Sequence, residues 1–261
     1  ARSEPVDKDA IKFLHGLRAG DGGFLPAPQD PNLDQVPRST LRGTSAAIRA
    51  LKYLGGDLPD REKAMQFVAS CYDEKSGGFS DQPGGEPDVF ATAVGIMAAV
   101  ELKMKEDPYI VRPTAWLAKN AKGFEDVRIA AAGMEAGGRF DRDVVAAWLG
   151  EVARLRNPDG SYGKPAADAR MTGSVVALIL RVGGKLTDEE KAASLKILTA
   201  GQQVDGGFAK PDAKVSDLET SYRVMRAFML LKEKPKDVEK LKQLNPRRSR
   251  ARTSPPSSGI G

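Results

Sequence analysis

Few side chains in this 261-residue sequence can do metal or nucleophilic chemistry, since it holds one cysteine, Cys71, and one histidine, His15. A protein zinc site needs cysteine, histidine or carboxylate donors converging at about 2.0 to 2.3 Å, and one thiol and one imidazole leave little to build from. We read Cys71 as a core thiol and His15 as a packing or surface residue. The other chemically loaded group is cationic. Arg42, Arg128 and Arg170 each stand two residues after Thr40, Asp126 and Asp168, whose side-chain oxygens suit the start of a helix. Helix N-termini carry partial positive charge, so three guanidiniums beside them could bind a phosphate or a carboxylate. The alternative is that each arginine pairs with a neighbouring acid such as Glu86, Glu125 or Asp168. Burying three unpaired arginines would cost several kcal/mol apiece, so an inward orientation demands an anionic partner or open water.

The elements that would position these residues form a repeat. Four glycine-aromatic signatures recur: Asp21-Gly22-Gly23-Phe24, Ser76-Gly77-Gly78-Phe79, Asp159-Gly160-Ser161-Tyr162 and Asp205-Gly206-Gly207-Phe208, with a weaker one at Lys122-Gly123-Phe124. Each precedes a polar or proline-containing loop and then an alanine-rich apolar helix. Those helices align on Thr44, Thr92, Ala130, Thr172 and Thr220, at spacings of 48, 38, 42 and 48 residues, the period of a helix-pair solenoid or ring. Between them lie amphipathic segments, Asp60 to Cys71, Pro108 to Asn120, Arg142 to Arg156 and Thr187 to Gln202, and Asp7 to Leu17 starts the series. One-sided apolar spacing places these in an outer, half-solvated layer, whereas segments apolar all round, such as Thr92 to Val100, belong inside. The expectation is an all-α chain of five helical hairpins in two layers, with no strand. Four residues before each aligned position stand Thr40, Asp88, Asp126, Asp168 and Ser216 as expected N-caps, Ser216 forming a capping box with Glu219.

Composition bounds the function. A hydrophobic content of 41% with 29% charged residues describes a water-soluble globular protein, and no apolar run is long enough to cross a bilayer. The formal charge of +5 suggests nucleic acid until Arg247, Arg248, Arg250 and Arg252 are set aside, which leaves +1, so no nucleic-acid partner is expected. The expected organisation is one repeat domain over 1–245 and a disordered basic tail over 246–261, rich in Arg, Ser, Pro and Gly. One cysteine fits a reducing compartment and a cytoplasmic location. A start at Ala1 without methionine reads as a processed or excised fragment, which leaves a removed targeting segment open.

The stretch Phe67-Val68-Ala69-Ser70-Cys71-Tyr72-Asp73-Glu74-Lys75-Ser76-Gly77-Gly78-Phe79-Ser80-Asp81-Gln82-Pro83-Gly84, followed by Pro87-Asp88-Val89-Phe90-Ala91-Thr92, resembles a repeat of the Rab geranylgeranyltransferase β subunits. It thereby resembles the wider prenyltransferase and terpene-cyclase α/α-toroid superfamily. The similarity of pattern covers about residues 7 to 232. The resemblance implies a barrel of inner helices ringed by outer ones, around a cavity that in active relatives holds an isoprenoid diphosphate. Those relatives bind zinc through Asp-x-Cys at the start of one inner helix and His at the start of the next. The matching positions here are Thr40, Arg42 and Ala91, so no zinc and no other cofactor is expected. The aromatic lining of such cavities is also expected to be missing, since the inner helices offer Ala, Gly, Ser and Met and both tryptophans, Trp116 and Trp148, fall on outer ones. The cyclase string Asp-x-Asp-Asp and the thioester string Gly-Glu-Gln are absent. Three functions stay open. The first is a binding module for an anionic ligand or peptide in the cleft, or for a protein on the rim, with Arg42, Arg128 and Arg170 as the anion site. The second is a divergent protein prenyltransferase using those arginines on an isoprenoid diphosphate. The third is a purely structural repeat domain of a larger protein.

Overall fold

The two periodicities resolve into helices that alternate along the chain. The computed structural model describes residues 7–29 and 37–243, which contain twelve helices: α1 (Lys8–Gly16), α2 (Leu41–Leu54), α3 (Arg61–Ser70), α4 (Val89–Glu101), α5 (Glu106–Tyr109), α6 (Val111–Asn120), α7 (Gly123–Gly137), α8 (Arg142–Ala153), α9 (Ala169–Arg181), α10 (Asp188–Ala200), α11 (Leu218–Leu231) and α12 (Val238–Lys242). Among the described residues there is no strand, only isolated bridges, and the expected tail over 246–261 lies outside them. The inner set is α2, α4, α7, α9 and α11. The expected outer segments are α1, α3, α6, α8 and α10.

A single device ties each aromatic signature to the inner helix that follows. The aromatic N–H donates to a hydroxyl one turn into that helix: Phe24 to Thr44 (2.9 Å), Phe79 to Thr92 (2.9 Å), Tyr162 to Thr172 (3.2 Å) and Phe208 to Ser221 (2.9 Å). All four rings are buried, each stabilising the fold by roughly 1.5 to 3 kcal/mol. The fifth repeat therefore aligns on Ser221, one residue beyond the expected Thr220. Its cap moves with it, because Asp217 accepts from Thr220 N while Ser216 donates to Asp205 (2.7 Å). The expected Ser216 capping box is replaced by one at Thr187 and Glu190 on α10.

Thr40, Asp88 and Asp168 cap α2, α4 and α9 as expected. Asp126 does not cap α7. That helix starts four residues earlier, at Gly123, and Asp126 reaches back from its first turn to accept from Lys122 N (3.1 Å). Phe124 lies inside α7, so the weak fifth signature is helix rather than turn. The outer helix expected from Pro108 is divided into α5 and α6 at Ile110, whose φ of −126° and ψ of −51° interrupt the helix, while Asp107, before Pro108, is extended at φ −105°, ψ 125°.

α12 was not expected from the sequence. It stands against Gly206 as α3 stands against Gly22, both glycines having positive φ (88° and 91°), and a Cβ at either would overlap the helix backbone. Glycine is required there for the turn and for the close approach alike.

The chain divides into two compact units, Ala1–Val144 and Val145–Gly261, the boundary falling inside α8. In the first, α4 lies between α2 and α7 and is covered by α6, which is why Ala91 to Ala99 are buried without a break. Leu17, Phe24, Ala47 and Leu51 join α1 to α2. In the second, α9 packs between α10 and α11 around Val176, Leu198, Phe208, Val224 and Phe228.

Candidate functional site

Arg42 and Arg170 lie in the first turns of α2 and α9 and Arg128 a turn further into α7, and each meets a carboxylate. Arg42, in the first turn of α2, donates from Nη2 to Asp88 Oδ2 (2.7 Å) and lies 3.7 Å from Asp81, with its guanidinium 4.6 Å from the centre of the Phe90 ring. The other oxygen of Asp88 caps α4 by accepting from Ala91 N (2.7 Å). One carboxylate therefore caps the start of α4 and anchors the first turn of α2. The backbone N–H of Arg42 donates to Asp81 (2.9 Å), which docks the loop before α4 onto the start of α2.

Arg128 is the sixth residue of α7 rather than the second, because the helix begins early. It donates from Nε to Glu125 one turn back (3.0 Å). Arg170, in the first turn of α9, donates to Glu219 of α11 (3.0 Å), and the same carboxylate oxygen accepts from Arg223 (2.7 Å). The Nε of Arg170 is buried with no hydrogen-bond partner. Burial raises the Glu219 carboxyl, but hydrogen bonds and charge from Arg170 and Arg223 outweigh it and hold the group below its usual value. Of the acids proposed as partners from the sequence, Glu125 takes Arg128, whereas Arg42 turns to Asp81 and Asp88 and Arg170 to Glu219. With the register corrected, Glu219 rather than Leu218 stands two residues past the cap in the fifth repeat.

The residues at the zinc-ligand positions that the resemblance implies do not fit a metal. The Thr40 hydroxyl accepts from Gly43 N (3.0 Å) as a cap, Arg42 brings a cation, and Ala91 is fully buried with no donor. His15 Nε2 lies 2.9 Å from the carbonyl oxygen of Asp57. Burial, with Asp81 adding to it, pushes the buried Cys71 thiol up to about 12. Among the described residues no three of His, Cys, Asp or Glu group as metal ligands.

Sequence reasoning missed two features. Inner helices do carry exposed aromatics, Tyr53, Phe90 and Tyr222, scattered singly between alanine-rich turns. A cleft of about 420 Å³ opens before α2, lined by Asp21, Arg38, Ser39 and Gln82 among others. Asp21 is held there by Ser39 Oγ (2.8 Å) and Gly23 N (2.9 Å). No helical periodicity marks that loop, so only the folded chain brings Arg38 beside Gln82.

The family model for the prenyltransferase alpha-alpha toroid domain matches residues 44–127 and 127–249. The geranylgeranyl transferase type-2 subunit beta of Saccharomyces cerevisiae is 51% identical over 35 residues, which is 13% of this chain and 11% of that one. Among solved structures, a protein from Actinoplanes matches over 87% of this chain and 73% of its own, at 18% identity and a TM-score of 0.56. Candida albicans protein geranylgeranyltransferase-I complexed with GGPP matches over 84% of this chain and 59% of its own, at 20% identity and a TM-score of 0.40. This chain thus spans about a tenth of the curated relative and less than two thirds of the Candida chain.

Proposed function

The chain belongs to the prenyltransferase α-α toroid family, and from that premise we propose that it is a binding domain that takes an anionic ligand, or a peptide or protein presenting one, without zinc chemistry. The observation that carries this reading is the filling of the three implied zinc positions by a capping hydroxyl at Thr40, an ion-paired guanidinium at Arg42 and a buried methyl at Ala91. Such residues cannot activate an acceptor thiolate. They leave Arg42 and Arg170 in the first turns of α2 and α9, with Arg128 a turn into α7.

The ion pairs do not oppose the proposal equally. Arg42 and Asp88 are 43% and 45% exposed, and exposed pairs contribute only about 0 to 1 kcal/mol, so a polyvalent anion can replace the carboxylate. At Glu219 two guanidiniums converge on one carboxylate, so the local charge there is net positive. Charge-assisted contacts are worth roughly 1.5 to 3 kcal/mol each before desolvation. Calorimetry with inorganic diphosphate tests this. Parent protein should bind at millimolar to micromolar strength, and Arg128→Gln with Arg170→Gln should weaken binding at least tenfold, about 1.4 kcal/mol. No binding by the parent, or equal binding by the double variant, overturns the anion site.

The 51% identity over 35 residues with a geranylgeranyl transferase subunit supports a second reading, a divergent protein prenyltransferase acting on an isoprenoid diphosphate. Transfer of radiolabelled geranylgeranyl groups to a cysteine-bearing protein acceptor would favour it over the binding domain.

A further inference from the structure

The first repeat differs from the others in the segment between its aromatic signature and the cap of its inner helix. That segment runs over 25–39, against 80–87, 163–167 and 209–216 in the other repeats whose aromatic is held by a hydroxyl. Long connections of this kind carry binding functions out of proportion to their number. Pro37, Arg38 and Ser39, at its end, line the cleft of about 420 Å³ together with the signature turn at Asp21 and, from the second repeat, Gln82 and Pro83. All of these residues belong to the first compact unit. The volume is in the range of small-molecule sites, which combine a few convergent polar groups with apolar walls.

Three polar side chains meet this cleft without satisfying one another. Asp21 Oδ1 accepts from both Ser39 Oγ (2.8 Å) and Gly23 N (2.9 Å), which fixes the carboxylate and leaves Oδ2 unengaged among the described residues. Asp205, at the matching position of the last repeat, instead commits its two oxygens to Gly207 N and Ser216 Oγ. Among the described residues the Arg38 guanidinium forms no ion pair and the Gln82 carboxamide no hydrogen bond. The positions matching Arg38, two before each cap, are Glu86, Ala166 and Val215, so the scaffold of the repeat has no need of a cation there.

The cleft thus presents a cation and a carboxylate oxygen at once. A phosphate would face Asp21 and a simple amine would face Arg38, in each case like charge against like, whereas a molecule with both an ammonium and a carboxylate satisfies the two. We propose that this cleft binds a small zwitterion of dipeptide size, with its ammonium on Asp21 Oδ2, its carboxylate on the Arg38 guanidinium and its peptide group on the Gln82 carboxamide. Guanidinium and carboxylate match as a two-pronged pair, and a carboxamide offers a peptide group both a donor and an acceptor. Pro37 and Pro83 have no N–H, so their rings supply apolar wall without competing for the ligand. The site is separate from the anion site of Arg42, Arg128 and Arg170 and takes a different class of ligand.

Proton-nitrogen correlation NMR on the full isotope-labelled chain, titrated with glycyl-L-glutamine, tests it. The amides of Gly20, Asp21, Ser39 and Gln82 should shift together, with a dissociation constant of roughly 0.1 to 10 mM. Asp21→Asn keeps the Oδ1 acceptor and removes only the charge, while Arg38→Gln removes the guanidinium; each should weaken binding roughly fivefold or more. Acetylating the dipeptide's ammonium should weaken binding to the parent and add no further loss in Asp21→Asn, a pairing that mere disturbance of the turn would not give. Arg128→Gln with Arg170→Gln should leave dipeptide binding unchanged, which keeps this test apart from that of the anion site. The proposal is overturned by the absence of a concerted shift up to about 10 mM, by equal binding of the free and acetylated dipeptides, or by the same amides answering inorganic diphosphate more strongly than the dipeptide.

Discussion

Replacing Thr92 by valine removes one oxygen from the centre of the second repeat while keeping the shape of the side chain. Thr92 is fully buried, and its hydroxyl accepts from Phe79 N at 2.9 Å. The Phe79 carbonyl also receives Asp88 N (3.2 Å), so it stays satisfied, and the substitution orphans a single donor. Leaving a buried N–H unpaired costs about 1 to 3 kcal/mol. For a chain of this size that corresponds to a fall in Tm of roughly 4 to 8 °C at the middle of the range. Thermal and urea melts of Thr92→Val and Thr92→Ser measure it, the serine variant keeping the acceptor at the expense of one methyl. The same change at Thr172, where the bond is longer at 3.2 Å, should cost less. A valine variant within about 0.5 kcal/mol of the parent, or a serine variant as unstable as the valine one, would show that the hydroxyl is not what holds the signature turn to its helix.

Ser221→Ala should destabilise in the same way as Thr92→Val, because Ser221 rather than Thr220 holds Phe208 N; equal stability to the parent would put the fifth repeat back in its expected register. Glu219 has a depressed carboxyl, so its contribution is present above its unfolded value and lost as the pH falls through the folded one; urea melts should separate Glu219→Gln from the parent at pH 7 and bring the two together at pH 2 to 3. The Cys71 thiol, raised to about 12, should resist alkylation in the folded protein at pH 8 and react once urea unfolds it, with rapid native labelling as the contrary result; the same shift makes its contribution to stability fall as the pH rises from about 9 toward 12. Protein purified without chelator should carry no stoichiometric zinc by elemental analysis, and one zinc per chain would mean that ligands lie elsewhere than Thr40, Arg42 and Ala91.

Much of the architecture is local and therefore legible in the residues alone. A helix that is apolar all round differs in composition from one that is apolar on one side, so α4 and α10 announce their layers before any contact is known. The glycine-aromatic turns are marked by residue types that few other conformations require, and the caps at Thr40, Asp88 and Asp168 follow from oxygens that few other positions need. The start of α7 escaped because Lys122 supplies no capping side chain and a reader of cap types looks for one. The break before α6 falls at Ile110, two residues past Pro108, and no residue type at that position signals it.

The candidate site was legible in its residue types and not in its pairings. Arg42, Arg128 and Arg170 could be singled out from position, and Glu125 could be matched to Arg128 because the two lie one turn apart on the same helix. Asp88 is 46 residues from Arg42, and Glu219 is 49 from Arg170; only helix packing brings such pairs within 3 Å. The fifth repeat shows the limit most plainly. Thr220 and Ser221 are adjacent hydroxyl residues, equally fit by type to receive Phe208 N, and a one-residue step on a helix turns a side chain by about 100°. The sequence supplies a hydroxyl at either position. Which one points at Phe208 was decided by how α11 rolls to bury Val224, Ala227 and Phe228 against α9, and that same roll leaves Leu218, Tyr222 and Met229 exposed.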